Sequence, residues 1–131
     1  MAFHRPCRSE LQYQYCQYED CLVQFRGPER DLDEPFAAFV GGSEFFGKYV
    51  PTPLPDILEN RLALKCVNFG AMNAGPELVS SDEDFSDIIS TAEVVVFQVT
   101  GAHNISNRFY RVHGRRNDRI IDVLPALEPP E

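Results

Sequence analysis

A chain of 131 residues, 44% of them hydrophobic, is long enough to bury a core of its own as a single domain, removing roughly two-thirds of its unfolded surface from water. Its 12 basic and 20 acidic residues leave a net charge of −8, which argues against a nucleic-acid binder or a binder of anionic membranes. No stretch approaches the ~18 apolar residues of a membrane span, and residues 1–8 hold no apolar run of the signal-peptide kind, so the expected setting is the cytoplasm.

In that setting Cys7, Cys16, Cys21 and Cys66 are expected as thiols. His4, Cys7, Cys16 and Cys21 match none of the paired C-x2-C spacings of zinc sites, so no metal and no cofactor is expected.

Residues 1–20 read as a lead-in, either an edge strand or irregular, with Tyr13, Tyr15 and Tyr18 among polar neighbours. Residues 21–26 read as a short strand stopped by the turn dipeptide Gly27-Pro28, and Glu29 to Glu34 as a solvated loop. The organising stretch follows. Residues 36–41 form a continuous apolar run, the pattern of a buried parallel strand, and its paired glycines deliver Ser43 at the break.

Pro51, Pro53 and Pro55 exclude regular helix up to about residue 55. Beyond them Ile57, Leu58, Leu62 and Leu64 fall at helical spacing. Residues 65–69 read as a second buried strand, followed by a small-residue loop from Gly70 to Gly75. Phe85, Ile88 and Ile89 predict a short helix over 82–92 with an acidic first turn. The β-branched run 93–99 predicts a third strand, ending at Thr100-Gly101 and Asn104.

Strands separated by helices and small-residue turns describe a βαβαβ unit. The expectation is a three-layer α/β sandwich with a mainly parallel, flavodoxin-like sheet over the whole chain, 1–131, with a core at 21–120 and a tail at 121–131. Right-handed crossovers align the turns after residues 41, 69 and 99 along one sheet edge, bringing Ser43, the 70–75 loop and Asn104 face to face.

Those three blocks, strand-Gly-Gly-Ser, strand-Asn-Phe-Gly-Ala-Met-Asn-Ala-Gly and strand-x-Gly-Ala-His-Asn, resemble the first three blocks of the SGNH (GDSL-like) hydrolases. The chain as a whole resembles an uncharacterised bacterial branch of that kind, over about residues 20–120, as an amino-terminal portion. The resemblance implies a serine esterase in which Ser43 is the nucleophile. Gly70 or Gly75, with Asn104, would donate to the oxyanion, and His103 takes the asparagine position if Ala102 does not replace the glycine of that block. It also implies a late Asp-x-x-His base, which the sequence lacks: His4, His103 and His113 are its histidines, and none follows an aspartate by three positions. A serine hydroxyl without a positioned base is a poor nucleophile. The implied protein is therefore inactive on its own, as a truncated frame, as a subunit completed by a partner chain, or as a non-catalytic binding module.

Each residue also has a structural reading. Ser43 can cap a helix, the loop asparagines can satisfy backbone groups, and His103 can serve as a base or make an ordinary polar contact. Arg108, Arg111, Arg115, Arg116 and Arg119 lie within twelve residues. They suit a clamp for a carboxylate, phosphate or sulfate, or a solvated loop facing the protein's own acids. The expected ligand is thus a small ester or an anionic small molecule, and the edges of a three-stranded sheet invite a homo-oligomer or a partner strand. Gly42 to Lys48 also satisfies the G-x4-G-K core of a phosphate-binding loop, but Tyr49 and Pro51 stand where that motif needs a hydroxyl and a continuing helix.

Overall fold

The computed structural model describes residues 13–113 and 116–124. In chain order the elements are β1 (Tyr15–Cys16), β2 (Phe25–Arg26), β3 (Phe36–Gly41), α1 (Ser43–Phe46), α2 (Leu54–Leu62), β4 (Lys65–Gly70), α3 (Glu77–Ser81), α4 (Glu83–Ser90), β5 (Val94–Phe97), a 3-10 turn at Ala102–Asn104, β6 (Tyr110–His113) and β7 (Arg116–Val123). The protein is a mixed α/β domain: a three-stranded parallel sheet in the order β4-β3-β5, accompanied by two antiparallel pairs, β1-β2 and β6-β7.

β3 is central because its side chains leave it no other place. Phe36 through Val40 are all buried, and a strand with nothing polar on either face must be covered on both. Its register runs from Phe36↔Lys65 to Gly41↔Gly70 on one side and from Ala37↔Val94 to Val40↔Phe97 on the other. Alternation then divides the core in two. Phe36, Ala38 and Val40 join Val67 and Phe69 against Phe85 and Ile88 of α4 and Leu78 of α3. Ala37, Phe39 and Cys66 face the other way, with Leu58, Leu64 and Phe45 packed against them. On the first face Phe25 sits between Phe69 and Phe85, at ring-centroid distances of 5.3 and 4.9 Å.

Several sequence expectations need correction. Of the strand expected over 21–26 only Phe25–Arg26 pairs; the Cys21 amide donates to the Tyr18 carbonyl in a turn, and that of Leu22 to Asp82. The helix expected over 82–92 is present as α4, and an unforeseen short helix, α3, stands before it; the residue between them, Asp82, is extended (φ −131°, ψ 102°). Its carboxylate caps α4 by accepting from the Phe85 amide at 3.1 Å and also accepts from the Leu22 amide at 2.8 Å. The arginine stretch, expected as a clamp or a loop, contributes to the β6-β7 hairpin, where Arg111 pairs with Asp122 across an irregular register. The phosphate-loop reading also fails: Ser43–Phe46 is one helical turn, closed by left-handed Gly47 (φ 78°), and Phe46 points into the core.

β5 is a strand, as expected, but it is not covered. Val94, Val95, Val96 and Phe97 are 49%, 40%, 36% and 45% exposed, so both of its faces meet solvent at the sheet edge. No helix among the described residues is long and apolar enough to cross a membrane.

Candidate functional site

The parallel strands end level with one another, Gly41 beside Gly70 and Val40 beside Phe97. There a cleft of about 310 Å³ opens, and the segments leaving all three strands line it: Ser43 after β3, Asn73 after β4, and Thr100 with Asn104 after β5. Carboxyl ends of parallel strands are where open α/β sheets bind ligands.

The turn into α1 is built for close approach. A side chain at Gly41 would run into Cβ of Gln98 and the Phe45 ring, each at 2.7 Å. The Gly42 amide donates to Oε1 of Gln98 at 2.8 Å, and Nε2 of Gln98 donates to the Glu44 carboxylate at 2.6 Å. Gln98 thus straps the end of β5 to the start of α1. Ser43 opens that turn, and its Oγ accepts from the Asn73 amide at 3.0 Å. Asn73 sits at φ 58°, a left-handed conformation that asparagine tolerates better than most residues. Ser43 Oγ donates to no described residue, so the hydroxyl keeps its proton to donate into the cleft.

Beneath the cleft, α1 rests directly on β4. A methyl at Gly70 would collide with the Phe46 amide nitrogen and come within 2.6 Å of the Phe45 carbonyl carbon and 2.8 Å of Phe46 Cα. The Gly70 amide donates to Oδ1 of Asn68 at 2.8 Å, while Nδ2 of Asn68 donates to the Phe45 carbonyl at 2.6 Å. From the other side Arg26 holds the exit of the turn. Its Nη1 donates to the carbonyls of Phe46 and Gly47, both at 3.0 Å, and its Nη2 to that of Pro51 at 3.1 Å.

The structure brings two of the sequence-derived candidates together, Ser43 and Asn104, and leaves the others outside. Gly70 has its amide committed to Asn68 and does not line the cleft. Gly75 follows the lining residues Asn73 and Ala74 and accepts from the Leu78 amide at 3.1 Å as α3 begins. His103 is exposed, its imidazole lies against Gly101, and its carbonyl accepts from the Tyr110 hydroxyl at 2.7 Å. Arg108 is exposed with its guanidinium over the Phe109 ring, and Arg111 is exposed on β6. Arg115 lies outside the described residues, as do His4 and Cys7, and Arg116 begins β7 opposite His113. Sequence reasoning missed Glu44, Gln98 and Thr100, whose part in the site depends on contacts between segments far apart in the chain.

Burial pushes the Cys21 thiol up to about 11, with the nearby Asp82 carboxylate adding to it, and burial likewise raises Cys66 and Cys16. These are neutral, poorly nucleophilic thiols. Arg30 and Glu59 pair at 2.7 Å beside a second cavity of about 290 Å³. Burial alone would raise the Glu59 carboxyl, but hydrogen bonds from Arg30 and from the Cys66 amide outweigh it and hold it low. Among the described residues no group of three potential metal ligands comes together.

The family model of a domain of unknown function, DUF6473, matches residues 1–129. The chain belongs to the DUF6473 family. Comparison with curated proteins and with solved structures gives no match. The resemblance to SGNH hydrolases is thereby corrected, since the family that spans the chain is a distinct one. Glycines and small polar residues at the ends of parallel strands are what close backbone approach requires there, and they suffice to account for the three similar blocks. DUF6473 carries no assigned activity, so the chemistry of the cleft stands on its own residues. Among the described residues no imidazole lines it, and its carboxylate, that of Glu44, is bonded to Gln98 and makes no hydrogen bond to Ser43. The arrangement offers hydroxyls and carboxamides for binding, and none of the described residues stands as a base hydrogen-bonded to Ser43.

Proposed function

We propose that the domain binds a small polar molecule in the cleft at the carboxyl ends of β3, β4 and β5, with the Ser43 hydroxyl as its central contact, and that it does not hydrolyse esters by itself. The observation that carries this reading is the meeting of Ser43, Asn73 and Asn104, from three separate segments, around one cleft of about 310 Å³. That volume lies at the lower end of the range for small-molecule sites, ~300–1,000 Å³. The reading includes a three-layer α/β arrangement, supported by α2 packing on one sheet face and α3 with α4 on the other.

Acyl transfer at Ser43 is a second reading, favoured by the presence of Asn104 in the same cleft as a candidate oxyanion donor. It needs a base that the described lining residues do not supply, and if a second chain brings it, the exposed edge strand β5, whose end lines the cleft, is where that chain would add.

The test of the first reading is a screen of small polar fragments followed by backbone amide chemical shifts. Binding should perturb Ser43, Asn73 and Asn104 together and weaken in Ser43→Ala. Perturbations confined to other surfaces contradict it. Intact-mass labelling with a fluorophosphonate separates the two readings: the chain alone should stay unlabelled, and labelling lost in Ser43→Ala would establish an activated serine.

A further inference from the structure

The groups that line the cleft narrow the class of ligand. Among the described residues that line it there is no lysine or arginine, and the single charge is that of Glu44. A phosphate or carboxylate would therefore enter a site that repels it and offers no cation in return. An acyl chain or aromatic ring fares no better, because the lining is almost wholly polar, its apolar side chains being those of Ala74 and Val99.

What remains is a set of groups able both to donate and to accept. The Ser43 hydroxyl has its proton free to donate, since Oγ accepts from the Asn73 amide and donates to no described residue. The side-chain amides of Asn73 and Asn104 make no hydrogen bond to described residues. Glu44 has accepting capacity on the oxygen that Gln98 does not take. Thr100 adds an anomaly: its hydroxyl oxygen is shut off from solvent and has no hydrogen-bond partner among the described residues. A buried hydroxyl left unpaired is costly, and rotation about χ1 carries it between staggered positions.

We propose that the cleft takes an uncharged, polyhydroxylated ligand, a polyol or a monosaccharide-sized sugar unit, whose hydroxyls are read by Ser43, Asn73, Asn104 and Glu44, with Thr100 turning to meet one of them. Each ligand hydroxyl donates one proton and accepts, so it can give to the Glu44 carboxylate while receiving from a carboxamide, which neither an anion nor a hydrocarbon can do. The size of the cleft suits one such unit rather than a chain of them. This inference rests on the reading of the cleft as a small-molecule site and specifies its ligand.

The test is a titration of the full chain with myo-inositol, sorbitol and methyl glucoside, set beside inorganic phosphate, acetate and ethanolamine, followed by amide chemical shifts. At least one of the polyols or sugars should perturb Ser43, Asn73, Thr100 and Asn104, with phosphate and acetate leaving them unmoved. Thr100→Val, which keeps the shape and removes a hydroxyl with no partner, should weaken that binding roughly five-fold without loss of stability. Asn104→Ala should weaken it by a similar factor. If phosphate, acetate or ethanolamine perturbs the cleft and the polyols do not, the ligand class is wrong while the cleft reading stands. If nothing in the panel perturbs it, and the fragment screen also leaves it silent, the cleft reading itself falls. Binding that is insensitive to both substitutions likewise overturns the inference.

Discussion

Replacing Gly70 by alanine tests whether the sheet positions the cleft through the contact of α1 on β4. The added methyl meets backbone rather than a flexible side chain: the Phe46 amide nitrogen, the Phe45 carbonyl carbon at 2.6 Å and Phe46 Cα at 2.8 Å. To restore ordinary van der Waals separation the helical turn must retreat by roughly 1 Å. It cannot do so freely, because Asn68 holds the Phe45 carbonyl and Arg26 holds those of Phe46 and Gly47. Overpacking a site with so little give costs about 3 kcal/mol, the upper part of the usual range. Ser43 rides on the same turn, so the hydrogen bond from the Asn73 amide to its Oγ should lengthen or break. Urea denaturation reads the first effect and the Asn73 amide chemical shift the second. Gly42→Ala is the control, since a methyl there approaches the Ala74 carbonyl oxygen at 3.1 Å and otherwise has room; its cost should be less than about 1 kcal/mol. A Gly70→Ala protein within about 0.5 kcal/mol of wild type, with the Asn73 amide unmoved, would refute the reasoning.

Four further outcomes are expected. Asp82→Ala should cost about 3 kcal/mol by urea denaturation, because it uncaps α4 and leaves the Leu22 amide without its carboxylate; a loss below about 0.5 kcal/mol would show that this buried carboxylate is dispensable. Cys21 and Cys66 should resist iodoacetamide at pH 8 while the chain is folded and react once it is unfolded, and labelling of the folded chain at the unfolded rate would contradict their burial. Because the Cys21 thiol is raised from 9.0 to about 11 in the folded state, its contribution to stability is complete below pH 9 and disappears as the pH rises through about 11. The urea midpoint of wild type should therefore fall more steeply over that interval than that of Cys21→Ala; parallel profiles would contradict the shift. Val96→Lys places a charge on the exposed edge strand and should leave stability within about 0.5 kcal/mol by urea denaturation; a loss of stability beyond about 2 kcal/mol would mean that β5 is covered.

β3 was legible in the sequence because a strand buried on both faces has to be written as a continuous apolar run, and Phe36 to Val40 is such a run; β4 keeps enough of that pattern in Cys66, Val67 and Phe69, with Asn68 between them. β5 was legible as a strand for the same reason, but its exposure was not, since Val94 to Phe97 would read identically whether covered or bare. The β6-β7 hairpin was hidden by its charge. Arg108 to Arg119 drew attention to guanidiniums, although Tyr110 and Val112 alternating with Arg111 and His113 carried the period of two that marks a strand. Helix α4 was legible by its apolar spacing and acidic first turn, whereas the second bond of its cap Asp82, to the Leu22 amide sixty residues away, was not.

The site follows the same division. Ser43 and Asn104 were legible because they stand at the breaks after apolar strands, where parallel sheets expose their loops. Gln98 was not, since its two hydrogen bonds reach Gly42 and Glu44 across more than fifty residues and nothing in Val96-Phe97-Gln98-Val99 announces them. Gly70 was taken for an oxyanion donor on its place in a motif, whereas in the fold its missing side chain makes room for α1 and its amide belongs to Asn68.

A crystal of this chain soaked in a mixture of small polar fragments tests the central claim most directly. The account predicts density in the cleft within hydrogen-bonding distance of the Ser43 hydroxyl and of the Asn73 or Asn104 side chain, and none there in crystals of Ser43→Ala soaked alike. Fragments that settle repeatedly elsewhere on the domain, with the cleft holding only water at full occupancy of the mixture, would contradict it.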